Sequence, residues 1–196
     1  MKYFYPTLLT LALITIASSV RATTVTYSTT GSFNGGAFSS PTSIGFGGGA
    51  NTTTLTFTGV SATVDTDPFG FTFASLGTMH TASTGSGASV AGTTFAIQIT
   101  QTVPSAGSGN VSGTISGFIS QNSSTSQITF TVTSVTIGAI TYSVPNNPLS
   151  LVPPVTNNGN TTIQGRVTAV PEPATLGLLG AGLFALAATV SRKIRR

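Results

Sequence analysis

Thr94-Phe95-Ala96-Ile97-Gln98-Ile99-Thr100-Gln101-Thr102-Val103, residues 94–103, decides the fold class. Phe95, Ile97, Ile99 and Val103 fall on one side of an extended chain, and Thr94, Ala96, Gln98, Thr100 and Thr102 on the other. A two-residue period of apolar and hydroxyl side chains is that of a β-strand with one face in a core and one in water.

The same alternation recurs on both sides of it: at Val25 and Tyr27, at Leu55 and Phe57, at Phe69, Phe71 and Phe73, and at Val111, Ile115 and Ile119. It returns at Ile128, Phe130 and Val132, at Ile140, Tyr142 and Val144, and at Ile163 and Val167. Glycine-, proline- and asparagine-rich turns over residues 45–50, 85–87, 104–110, 121–126 and 145–160 separate these runs. About eight strands at this spacing, with no long amphipathic helix between them, predict an all-β antiparallel β-sandwich or jelly-roll-like domain. Its expected core is the alternating Phe, Ile and Val set, and residues 111–135 read as a hairpin. Between Val132 and Val135 the apolar parity switches, which predicts a bulge near Thr133-Ser134 or a change of sheet. Gly138 permits the parity to switch back.

Composition narrows the function classes. Of 196 residues only 5% are charged, so the surface must be made of hydroxyls and amides. The net charge of +4 comes from the two ends. Between Thr23 and Val170 two carboxylates, Asp65 and Asp67, face one guanidinium, Arg166, a net −1. That gives no footing for neutralising phosphates, so nucleic acid is excluded as a partner. With no cysteine there is no disulfide framework, thiolate metal site or cysteine nucleophile. Twelve Phe are too much apolar material for a solvated Ser/Thr/Gly stalk.

The same scarcity argues against an enzyme. General acid–base or nucleophilic catalysis needs converging titratable groups, and the middle of the chain offers one histidine, His80, with Asp65 and Asp67. No nucleophile-elbow sequence accompanies them. Asp65-Thr66-Asp67 puts both carboxylates on one face of an extended chain, a weak candidate for Ca²⁺, which wants six to eight oxygens. A solvated turn before Pro68 is the simpler reading, so no metal and no cofactor is expected. Asn51, Asn110, Asn122 and Asn160 open Asn-x-Ser/Thr triplets, which a chain this rich in Ser and Thr produces by composition. Tyr27, Phe38, Phe46 and Tyr142 are candidate aromatic platforms for sugar rings, although tryptophan, the usual platform, is missing.

The two ends carry addresses. Residues 1–22 read as a secretory signal: Lys2, an apolar stretch over residues 8–17, then Val20-Arg21-Ala22, with cleavage expected after Ala22. That stretch is too short to span a bilayer, which takes about 20 residues. Near the other end, residues 174–190 contain only Ala, Leu, Gly, Phe, Val and Thr, close to the lower limit of about 17 residues for a spanning helix. A basic tail over residues 191–196, with Arg192, Lys193, Arg195 and Arg196, follows. Such a cluster stays on the cytoplasmic side and leaves the preceding domain outside. Before the helix stand Pro171-Glu172-Pro173, where two fixed φ angles keep the backbone extended and accessible to a processing enzyme.

Pro171-Glu172-Pro173, then Ala174-Thr175-Leu176-Gly177-Leu178-Leu179-Gly180, then the basic tail, resembles the PEP-CTERM sorting signal of bacterial proteins handled by an exosortase. The resemblance implies an exosortase that cleaves near the tripeptide and releases the exported part to the surface or the exopolysaccharide matrix. The sortase pattern Leu-Pro-x-Thr-Gly is absent, and a glycolipid-anchor signal ends in its apolar tail without a strongly basic cluster. Residues 71–110, with Phe73-Ala74-Ser75-Leu76-Gly77-Thr78-Met79, resemble the choice-of-anchor β-domains that precede such signals.

The expected organisation is a signal peptide (1–22), an exported β domain (23–169) and a sorting signal (170–196). Expected partners are the signal peptidase and general secretion machinery, the exosortase, the membrane and an exopolysaccharide. The expected place is the inner membrane, transiently or permanently, and then the cell surface or extracellular matrix. Three readings of the exported part stay open: a structural or interaction protein, a carbohydrate-binding or adhesive module, and a simple single-pass membrane-anchored protein.

Overall fold

The computed structural model describes residues 22–66, 70–169 and 182. The signal segment, Asp67, Phe69, the Pro171-Glu172-Pro173 tripeptide, the expected helix over 174–190 and the basic tail lie outside the described residues, apart from Ala22 and Gly182. Among the described residues no helix is long and apolar enough to cross a membrane.

The described chain is all-β. It runs through β1 (Thr24–Phe33), β2 (Thr42–Gly48), β3 (Asn51–Thr58), β4 (Ser61–Asp65) and β5 (Phe71–Thr84). After the short β6 (Ala88–Ser89) come β7 (Thr93–Val103), β8 (Gly107–Ser116), the short β9 (Phe118–Ile119) and β10 (Gln127–Val132). Next are β11 (Ser134–Ile137), β12 (Ile140–Ser143), β13 (Leu149–Ser150) and, after a single 3₁₀ turn, β14 (Asn160–Ala169). Sheet one has the order β13-β10-β8-β7-β1-β4, sheet two the order β11-β12-β14-β5-β3-β2, and β6 pairs with β9. Every pairing is antiparallel.

Alternation explains the core. Phe95, Ile97 and Ile99 of β7, Val111 and Ile115 of β8, and Val25 and Tyr27 of β1 are buried on one face of sheet one. Leu55 and Phe57 of β3, Met79 of β5, Tyr142 of β12, and Ile163 and Val167 of β14 are buried on one face of sheet two. Together they form one hydrophobic cluster. Rings meet across it: Phe57 lies 5.3 Å from Phe95, and Tyr27 meets Tyr142 edge-on at 5.5 Å. Gly31 of β1 has no Cβ because the Phe57 ring occupies that space.

The parity switch after Val132 is a change of sheet. The chain leaves sheet one at Val132, and Val144 N–H donates to Thr133 O (2.8 Å) as it enters sheet two at Ser134. Gly138 (φ +59°) then makes the tight turn that pairs Ile137 with Ile140. The hairpin read over 111–135 therefore holds only as the β8–β10 pairing, which ends with Val132 opposite Ser112.

Three apolar residues read as core are exposed, each beyond a register shift. In β5 the pairing passes from Gly77 opposite Ile163 to Ser75 opposite Gln164, so Leu76 is an extra residue. Leu76 and Gly77 are both buried, and upstream of them Phe73 turns outward, 52% exposed. Between Gln101 opposite Tyr27 and Val103 opposite Thr26, β7 carries Thr102 as an extra residue, and Val103 is exposed. A shift between Phe130 and Val132 does the same to Val132. One extra residue inverts the face of everything beyond it.

Two stretches read as turns are strands. β8 begins at Gly107, and at Gly107 and Gly109 a Cβ would run into Ile137 and Val135 of β11 packed above. These glycines are spacers between sheets. Likewise β2 runs through Gly45 and Gly47 to Gly48, leaving only Gly49-Ala50 to turn into β3.

Candidate functional site

Of the residues first suspected of chemistry, His80 and Asp65 are described. His80 lies on the outer side of β5, since its neighbours Met79 and Thr81 are buried, and its strand partners are Thr56 and Asn160. Asp65 is in the edge strand of the other sheet and accepts a hydrogen bond from Thr24 Oγ1 (2.6 Å). No hydrogen bond joins His80 to Asp65, whose partner is Thr24, so the two do not form the hydrogen-bonded pair that acid–base catalysis needs. Among the described residues no three His, Asp, Glu or Cys side chains gather where they could hold a metal ion.

Two of the four aromatic candidates are not platforms. Tyr27 and Tyr142 are buried, with Tyr27 Oη donating to Ser75 O (2.7 Å) and Tyr142 Oη donating to Gln101 Oε1 (2.8 Å). Burial pushes the Tyr27 phenol up to about 12 and raises that of Tyr142 as well. An amphipathic side chain with a satisfied hydroxyl belongs in a core as readily as on a surface. Phe46 is half-buried and packs against the core.

Phe38 alone stands over a groove. β1 ends in Asn34-Gly35, both at positive φ (50° and 71°), a turn that Asn and Gly tolerate best. The chain then folds back on its own strand: Gly36 N–H donates to Phe33 O (2.9 Å), Ser32 Oγ donates to Gly36 O (2.6 Å), and Gly31 and Ser39 exchange bonds of 2.9 and 3.0 Å. Asn34 ties the turn to β7, donating from its N–H to Thr94 O (3.0 Å) and accepting from Thr94 N–H at Oδ1 (2.9 Å). Phe38 is thereby held, half-buried, beside the outer face of sheet one.

The floor comes from alternation. Thr94 and Ala96 of β7 lie opposite Thr114 and Ser112 of β8, and Thr131 of β10 flanks Ser112 and donates to its carbonyl (3.3 Å). With Phe38 and the Gly35-Gly36 backbone these residues line a groove of about 300 Å³ that contains no ionisable side chain. Composition hid this site, because Ser and Thr recur along the whole chain and only the strand register brings these five side chains together.

The outer face of sheet two carries a different cluster. The Arg166 guanidinium lies 4.1 Å from the centre of the Phe71 ring, and Phe71 meets Phe73 edge-on at 6.0 Å. Arg166 and Phe73 are register partners on β14 and β5, so the contact follows from the pairing.

No curated protein and no solved structure matches the chain. The family model described as the PEP-CTERM protein-sorting motif matches residues 169–196, which contain Pro171-Glu172-Pro173 and the basic tail. That motif marks an exported surface protein whose processing partner is an exosortase, and the chain carries it.

Proposed function

We propose that this is a structural or interaction protein of the cell surface or extracellular matrix, that it is not an enzyme, and that its exported part is a jelly-roll-like β-sandwich. The PEP-CTERM motif at residues 169–196 carries this reading. In it, signal peptidase acts after Ala22, residues 174–190 hold the chain in the inner membrane with the basic tail inside, and an exosortase then cuts near Pro171-Glu172-Pro173. The described part suits such a role: its outer strand faces are rich in Ser and Thr and carry few charges, and no hydrogen bond joins His80 to Asp65. The resemblance to choice-of-anchor domains points the same way.

Fractionation tests the reading. The mature chain is expected in the extracellular polysaccharide fraction of an exosortase-bearing host. Recovery solely in the inner membrane contradicts it and leaves a single-pass anchored protein.

A second reading, a carbohydrate-binding module in the same place, is favoured by one observation, the uncharged hydroxyl-floored groove beside Phe38.

A further inference from the structure

We propose that the groove beside Phe38, on the outer face of sheet one, binds a neutral polysaccharide chain. The inference rests on the second reading above and is independent of sorting.

The lining selects by charge. Thr94, Ser112, Thr114 and Thr131 present hydroxyls and no lining residue is ionisable. A carboxylate, phosphate or ammonium entering the groove would lose water and gain no counter-charge. A ligand made of uncharged hydroxyls keeps its hydrogen bonding, because each Ser or Thr hydroxyl both donates and accepts. Thr94 Oγ1 and Thr131 Oγ1 already donate within the protein, to Asn34 Oδ1 (3.5 Å) and Ser112 O (3.3 Å), which leaves them as acceptors. The hydroxyls of Ser112 and Thr114 make no hydrogen bond to any described residue and are left to do both.

The aromatic wall selects by shape. Phe38 offers an apolar ring beside a hydroxyl floor, and a pyranose has the same two characters, an apolar C–H face and a hydroxyl rim. The bonds that brace residues 34–39 to β1 and β7 fix the backbone that carries Phe38 before any ligand arrives, so little backbone freedom remains to be lost on binding. Ligand pockets run from about 300 to 1,000 Å³, so this groove, about 300 Å³, takes a short piece of a longer chain. The Phe71–Phe73–Arg166 cluster bears a cation and would select an anionic ligand instead.

The test is affinity electrophoresis of the full-length chain in mild detergent, through gels holding a neutral glucan, a neutral galactomannan or polygalacturonate. Retardation by a neutral polysaccharide is expected, weakened roughly three- to tenfold in Phe38→Ala, as loss of one stacked ring implies. Weakening is also expected in Thr114→Val, which keeps shape and removes a hydroxyl, and none in Phe73→Ala. A thermal melt accompanies each variant; if Phe38→Ala melts early, Thr114→Val decides. Equal retardation of wild type, Phe38→Ala and Thr114→Val overturns the site. Retardation only by polygalacturonate, abolished in Arg166→Gln, overturns it while sparing the carbohydrate reading. No retardation in any gel overturns both and leaves the structural role to the fractionation.

Discussion

Tyr142 Oη donates a 2.8 Å hydrogen bond to Gln101 Oε1, joining sheet two to sheet one inside the core. The other end of the same amide is satisfied too, since Gln101 Nε2 donates to Ser105 O (2.8 Å) and Ile137 O (3.4 Å). Gln101 thus occupies the core-facing position after Ile99 and sits buried among apolar neighbours without an unmet polar group.

Tyr142→Phe leaves Gln101 Oε1 buried without its donor, and the expected loss is about 1–3 kcal/mol of unfolding free energy in a urea titration. Adding Gln101→Leu removes the stranded amide and is expected to recover part of that loss. An unchanged midpoint in Tyr142→Phe contradicts the cross-sheet bond.

Alkaline stability follows from the two buried phenols, Tyr27 and Tyr142, whose rings meet in the core. Tyr27 ionises at an ordinary 10.0 when unfolded and at about 12 when folded, so the folded state keeps a proton that the unfolded state gives up. Its contribution is fully present below pH 10 and is lost as pH rises towards 12. Tyr142, also raised, adds to the fall. Denaturation midpoints are expected to drop across that window, and Tyr142→Phe is expected to lessen the slope.

Phe57 and Phe73 separate core from surface among residues of one kind. Phe57→Ala opens a cavity beside Phe95 and is expected to cost about 3–5 kcal/mol. Phe73→Ala, outside the β5 bulge, is expected to stay within about 1 kcal/mol. Similar losses in both contradict the inverted register upstream of Leu76.

Gly109→Ala tests the crossing of β11 over β8. Its methyl would press on Val135, with an expected cost of about 1–3 kcal/mol. Val135→Ala in the same chain is expected to relieve part of that cost; independent, additive effects contradict the contact.

Strands were legible wherever alternation was unbroken, as at Leu55–Phe57 and Phe95–Ile99, because burial on one face demands a two-residue period. The extra residues Leu76 and Thr102 were not legible, since nothing in their types marks them as bulges, and so Phe73 and Val103 read as core. Gly107 and Gly109 read as a turn because glycine gives the same signal whether it bends a chain or makes room for Val135 and Ile137. Of the binding candidates, Phe38 was visible as an aromatic outside the strands. Its hydroxyl floor was not, being assembled from three strands by register alone. The sorting signal was readable outright, because its tripeptide, apolar run and basic tail are contiguous.

The most direct test of the surface role compares one host with and without an exosortase, reading the intact mass and location of the mature chain. Processing by the exosortase predicts loss of the segment beyond Pro171-Glu172-Pro173, and recovery outside the inner membrane, only where the enzyme is present. An uncut, membrane-bound chain in both strains contradicts it.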